Sequence, residues 1–182
     1  MNDQIEKTQY HNGFYAAAES VWHEEDLSFQ HEVQLGVEPP VMDFLIIKKA
    51  TEEKLTDPVG EMFLGYNVFE YKSPEDVADL KAFMNTIAYA LRFYFLTKEC
   101  ELSSLTATVA LHQHPDKMLE ELRDNGFDIT TPCEGLYRIQ NKLPIPVQIM
   151  VTSRLDRPEY KVFKLLKKGV TAEQIREIID VE

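Results

Sequence analysis

The sequence predicts an α/β fold, a mixed central sheet flanked by helices in the order α-β-β-β-α-β with further elements behind it. Three observations lead there. Residues 41–48 (VMDFLIIK) are apolar almost throughout, as expected of a strand covered on both faces. Residues 28–35 alternate, with Phe29, Val33 and Leu35 on one side and Ser28, Gln30, Glu32 and Gln34 on the other. Between two further apolar strands, Val77, Leu80, Phe83, Met84, Ile87, Ala88 and Leu91 recur at helical spacing.

Taken in order, Phe14, Ala17, Ala18, Val21 and Trp22 mark a helix over residues 11–25, with Asn12 and Gly13 as start signals. The alternating strand 28–35 ends at Gly36-Val-Glu-Pro-Pro40, a cluster of turn residues. The apolar strand 41–48 follows. Residues 50–65 are charged and irregular and read as a loop, with room for a helical turn. A third strand, 66–72, is stopped by Ser73-Pro74. Pro74 with Glu75 and Asp76 makes a helix entrance, and the helix runs to about Lys98. Residues 105–111 (LTATVAL) are a fourth strand, and 115–125 a short helix ended by Gly126. Residues 135–139 and 147–152 read as two later strands, and 160–166 and 171–181 as terminal helices. At 182 residues the chain is expected to be one domain, with its core over about 11–112 and additional elements over 113–182.

Composition narrows the function classes. No apolar run reaches the roughly 20 residues of a membrane span; the most apolar stretch, Ala82 to Leu96, contains Asn85 and Arg92. The polar N-terminus lacks an apolar signal core, and Cys100 and Cys133 lie far apart without metal-ligand spacing, so a cytoplasmic setting is expected. The net charge of −12 opposes tight nucleic-acid binding, which depends on Lys and Arg neutralising phosphates. Residues 1–72 hold 14 Asp/Glu against 5 Lys/Arg, so the acidity is concentrated in the front half. That suits a metal site and equally suits a solubilising surface.

Asp43 is the conspicuous residue. It interrupts an apolar strand, where a carboxylate is costly unless it is paired or metal-bound. Glu70 and Lys72, two apart on a strand, project side by side about 6–7 Å apart. If strands 41–48 and 66–72 pair, Asp43 meets them there. Two carboxylates and a backbone carbonyl make a hard oxygen site suited to Mg²⁺ or Mn²⁺. A neighbouring lysine can orient water and stabilise charge developing on a phosphate. The competing readings are an Asp partnered by a nearby Lys or capping a turn, and a solvent-facing Glu/Lys pair, which strands use routinely. The spacing alone is a weak signal.

The surrounding segments resemble a known family. GVEPPVMDFLIIKK and NVFEYKSPEDVADLKAFMNTIAYA, with HQHPDKMLEELRDNGFDI, GLYRI and LPIPVQIMVTSRL, are similar to a bacterial PD-(D/E)xK nuclease-like family related to the transposase-like recombination-promoting nucleases. The resemblance covers about residues 10–180, and EYKSP and the PxQIxVT-like segment are its most specific parts. It implies a restriction-endonuclease-like core. It maps the metal-binding acids onto Asp43 and Glu70, the catalytic lysine onto Lys72, and a backbone metal ligand onto the Tyr71 carbonyl. Met42, not Pro, precedes Asp43. Relatives often add an acid from the first helix; Glu19 is the candidate here, with Glu32 as its rival.

Other features carry less. His112 and His114 could share one face and bind a metal, or simply end a strand. Tyr89, Phe93, Tyr94 and Phe95 read as core or dimer surface rather than a base-stacking platform. Lys161, Lys164, Lys167 and Lys168 form the one basic cluster, a solvated helix face or a phosphate-contacting patch. HExxH, phosphate-loop and GxGxxG motifs do not occur. The expectation is therefore a Mg²⁺- or Mn²⁺-dependent phosphodiesterase acting on DNA, weakly bound by the isolated acidic chain, with a homodimer or a partner protein supplying affinity. The alternative is a catalytically silent binding or assembly module of the same fold in a mobile-element or defence system.

Overall fold

A computed structural model describes residues 2–22, 27–34, 41–48, 55–165 and 170–171, with backbone only for 2–10, 32, 34 and 41. Helix α1 (Asn2–Val21) leads into strands β1 (Leu27–Gln34), β2 (Val41–Lys48) and β3 (Tyr66–Lys72). Helix α2 (Leu80–Leu96) crosses to β4 (Leu105–Leu111), and α3 (Asp116–Asp124) precedes β5 (Asp128–Cys133), β6 (Leu136–Gln140) and β7 (Val147–Val151). A 3-10 helix, Pro158–Leu165, follows. The seven strands among the described residues form one mixed sheet in the order β1-β2-β3-β4-β7-β6-β5. β3, β4 and β7 are parallel; the outer pairings are antiparallel. The chain is thus α/β with a helix-flanked mixed sheet, and its order through β4 is the expected α-β-β-β-α-β.

Both faces of the sheet are covered. On one, Leu45, Val68, Val109 and Ile149 pack with Phe83 and Ile87 of α2 and Met118 and Leu122 of α3. On the other, Phe44, Phe69 and Tyr71 pack with Phe14 and Trp22 from the α1 side and with Tyr160 and Phe163 of the 3-10 helix. β4 and β7 are buried along their whole length, which is why they are mostly apolar, with Thr106, Thr108 and Gln148 as buried polar exceptions.

Several boundaries differ from the sequence expectation. α1 contains Asn12 and Gly13 in its interior; an interior Gly costs about 0.5–1 kcal/mol, which the packing of Phe14, Tyr15, Ala17 and Ala18 offsets. α2 begins at Leu80, not Pro74. Asp76 instead folds residues 73–76 into a turn, its Oδ2 accepting the Ser73 N–H at 2.9 Å. Asp79 is the true N-cap, accepting the Ala82 N–H at 2.9 Å. The Leu80 N–H, left open by the helix, donates to Glu121 of α3 at 2.8 Å. β5 was not foreseen: it is an exposed edge strand containing Pro132, so no buried periodicity announces it. Gly126 does close α3, at φ +73°, with Gly126 N–H to Arg123 O and Phe127 N–H to Leu122 O completing the stop. The 160–166 helix is of the 3-10 type. The turn 36–40, Leu35 and the terminal helix beyond Thr171 lie outside the described residues.

Candidate active site

The β2–β3 ladder runs from Ile47↔Tyr66 to Phe44↔Phe69; one residue further along each strand stand Asp43 and Glu70. Just beyond that last pair, Asp43 Oδ2 accepts the Tyr71 amide N–H at 3.0 Å. Strand alternation puts Glu70 and Lys72 on the α2 face, where Lys72 Nζ donates to Glu70 Oε1 at 2.7 Å. Tyr71 turns to the opposite face and stacks on Phe14, ring centroids 4.9 Å apart. A cleft of about 520 Å³ opens over Asp43, Glu70 and Lys72, and its far wall includes Lys81, Ala82 and Asn85 of α2.

Glu70 is only 7% exposed. Burial, followed by the Asp43 carboxylate, pushes its pKa up to about 7, against the opposing pull of Lys72 and His11. Burial also works against the Lys72 ammonium. There the charge of Glu70, its hydrogen bond, Asp43 and Asp76 together outweigh burial and raise the lysine above its ordinary value. Lys72 therefore stays charged, while Glu70 is poised to exchange a proton near neutrality. One Glu70 oxygen is engaged by Lys72; the other, Oε2, is buried with no hydrogen-bond partner among the described residues. A buried polar atom left so costs roughly 1–3 kcal/mol.

Among the described residues no three or more His, Cys, Asp or Glu side chains are arranged to hold a metal ion. Mg²⁺ does not require three: it commonly takes one or two carboxylates, several waters and substrate phosphate. Asp43 and the unpartnered oxygen of Glu70 are a donor set of that kind.

His11 is a site residue that sequence reasoning missed, as are Asp76 and Asp79, which also line the cleft. From α1 its Nδ1 lies 3.5 Å from Asp43 Oδ1, and its ring meets Tyr71 edge-on at 5.8 Å. The available signal was its helical spacing from Phe14, Tyr15 and Ala18, which puts it on the buried face of α1. The acid expected from this helix is placed elsewhere. Glu19 stands two turns, about 12 Å, further along the axis, and pairs with His31 at 2.8 Å. The Glu32 side chain lies outside the described residues.

The remaining candidates separate. His112 Nδ1 meets the Thr152 hydroxyl, while His114 is held between Asp116 and the Tyr137 hydroxyl, so the two do not share a ligand geometry. Phe93 is core against Tyr66, whereas Phe95 is 78% exposed. Lys164 lies 3.7 Å from Asp156, and Lys167 and Lys168 are outside the described residues. Cys100 and Cys133 are free thiols. No helix among the described residues is long and apolar enough to cross a membrane. In comparisons with known proteins, no family model matches the chain, and neither a curated protein nor a solved structure shows significant similarity to it.

Proposed function

We propose that the cleft is the active centre of a Mg²⁺- or Mn²⁺-dependent phosphodiesterase acting on DNA, built on a restriction-endonuclease-like core. The observation that carries this reading is the convergence, on neighbouring strand ends in one open cleft, of two acids and a lysine whose second acid keeps a buried, unpartnered oxygen. Asp43 and Glu70, with the Tyr71 carbonyl, would hold the ion. When bound, it supplies Lewis-acid polarisation of the phosphoryl oxygen and a more acidic water.

The chain's own residues do the rest. Lys72, fixed by Glu70 and kept charged by the acids around it, faces the phosphate and stabilises the negative charge that grows on it. Glu70, which holds its proton up to about pH 7 in the ion-free site, would release that proton on ligating the ion. His11 holds Asp43 from the α1 side, and the Tyr71 amide holds it from β3.

The test is cleavage of supercoiled plasmid, linear duplex, single-stranded DNA and RNA at low salt with Mg²⁺ and with Mn²⁺. Lys72→Ala should keep its fold with some loss of stability, because Glu70 Oε1 loses its partner, and should lose cleavage by a factor of order 10²–10³, the size expected for a group stabilising charge at the reacting centre. Glu70→Ala should lose both cleavage and ion binding. A wild type that cleaves none of these substrates, or a Lys72→Ala protein as fast as wild type, favours the binding-module reading. That reading draws on the −12 charge and on Asp76 and Asp79 at the cleft rim. An anomalous Mn²⁺ peak between Asp43 and Glu70 in a soaked crystal separates an inactive enzyme from a module without an ion.

A further inference from the structure

A second cavity of about 250 Å³ adjoins the cleft, and Lys72 and Asp76 line both. We infer that it is a nucleobase subsite, taking the base of an unpaired nucleotide next to the phosphate held at Lys72. The inference rests on the nuclease reading and specifies its substrate: a single strand or a frayed end.

Three properties of the cavity support a base. Its size lies just below the ~300–1,000 Å³ of sites for drug-sized ligands, which suits one planar heterocycle. Its walls include the part-exposed ring of Pro74, with Leu111 and Pro115 buried behind the surface as an apolar backing. His114 adds a ring of fixed orientation, because Asp116 engages one of its nitrogens at 2.7 Å and the Tyr137 hydroxyl the other at 2.8 Å. A ring of that kind binds bases by stacking, tolerant of sequence.

The polar groups fit the edge of a base and disfavour a second phosphate. Lys72 and Lys117 are matched by Asp76 and Asp116, so the lining has no net positive charge to hold an anion. Ser73 is 4% exposed, lines the cavity, and its hydroxyl has no partner among the described residues. A hydroxyl can both donate and accept, as the edge of any base requires. Gln113, exposed at the mouth, brings an amide of the kind that reads base edges in pairs of hydrogen bonds.

The experiment measures binding without cleavage. Fluorescence anisotropy in EDTA compares a labelled single-stranded deoxy-12-mer with the same backbone carrying abasic spacers, each against wild type, Ser73→Ala and Gln113→Ala. The expected result is tighter binding of the base-bearing strand by wild type. Each substitution should weaken that strand about three- to tenfold, the size of one or two hydrogen bonds, and leave the abasic strand unchanged. Ser73→Ala should melt at the wild-type temperature, because the hydroxyl makes no bond to lose. Equal binding of the two strands, no measurable binding of either, equal weakening of both by the substitutions, or a lower melting temperature for Ser73→Ala each overturns the inference. Base-dependent binding alongside absent cleavage with Mg²⁺ and Mn²⁺ would sink the enzymatic reading and leave the subsite standing.

Discussion

Glu70 spends one oxygen on Lys72 and keeps the other buried and unpartnered, so its charged form is expensive in the absence of an ion. Its pKa rises from the ordinary 4.5 to about 7, and the folded chain therefore holds this proton more tightly than the unfolded chain does. The sign follows: the contribution to stability is full below about pH 4.5 and is lost as pH rises through about 7. The full loss should be on the order of 3 kcal/mol, at 1.36 kcal/mol per pKa unit. Thermal melts in EDTA across pH 5 to 8 should show wild type falling relative to Glu70→Gln, which carries no such proton. Parallel curves would show that Glu70 titrates as an ordinary carboxylate. This triad was legible in the chain because strand period alone sets Glu70 beside Lys72 and because an acid within VMDFLIIK has no apolar reason to be there. His11 was not, since no local rule connects a helix residue to an acid 32 positions away. Glu19, chosen by charge, points at His31 instead; helix phase was the better guide than residue type.

At the scale of elements, one carboxylate secures much of the face opposite the cleft. Asp57 Oδ1 accepts from Trp22 Nε1 at 3.2 Å, from the Val59 and Gly60 amides at 3.1 and 2.9 Å, and from the Tyr160 hydroxyl at 2.5 Å. It ties the segment before β3 to the end of α1 and to the 3-10 helix. Burial, then the Asp57 hydrogen bond and charge, raise the Tyr160 pKa, so the phenol remains the donor. The turn needs Gly60, where a Cβ would collide with the Asp57 carboxylate and with Leu55. Asp57→Ala should therefore cost about 2–4 kcal/mol, because several donors lose their acceptor at once and each orphan costs roughly 1–3 kcal/mol. Urea unfolding checks this, and a change below about 0.5 kcal/mol would mean water replaces the carboxylate. Asp79→Ala should cost less, about 1 kcal/mol, the usual value of an N-cap, although Glu121 still holds the Leu80 amide. Neither device was readable in advance. Asp57 sits in a charged stretch with no period, and Ser73-Pro74 looks like a helix start until Asp76 closes the turn. By contrast β2, β4, β7 and the body of α2 were readable, because burial on both faces or at helical spacing writes itself into composition.

For the molecule as a whole, the acidity that weakens DNA binding should strengthen the response to a divalent ion. A chain of net charge −12 repels phosphate at long range and attracts cations, with the Asp43–Glu70 repulsion focused at the cleft. An ion seated there removes that repulsion and binds only the folded chain, so it stabilises by mass action, by about 2.7 kcal/mol at a hundred times its Kd. Proton and ion compete for Glu70. The ion's effect should therefore be small at pH 6 and grow as pH passes about 7, the reverse of the metal-free trend. Melting temperatures with and without Mg²⁺ or Mn²⁺, at pH 6 and pH 8, should show a rise in wild type that is larger at pH 8. Asp43→Asn should lose most of that rise, since it removes one of the two anionic donors while keeping a group able to accept the Tyr71 amide. A diffuse effect of the acidic surface predicts something else: equal rises in both proteins, equal at both pH values, and erased by 0.5 M monovalent salt through screening. That second pattern would place the ion outside the cleft and remove the chemical basis for assigning cleavage to Asp43, Glu70 and Lys72.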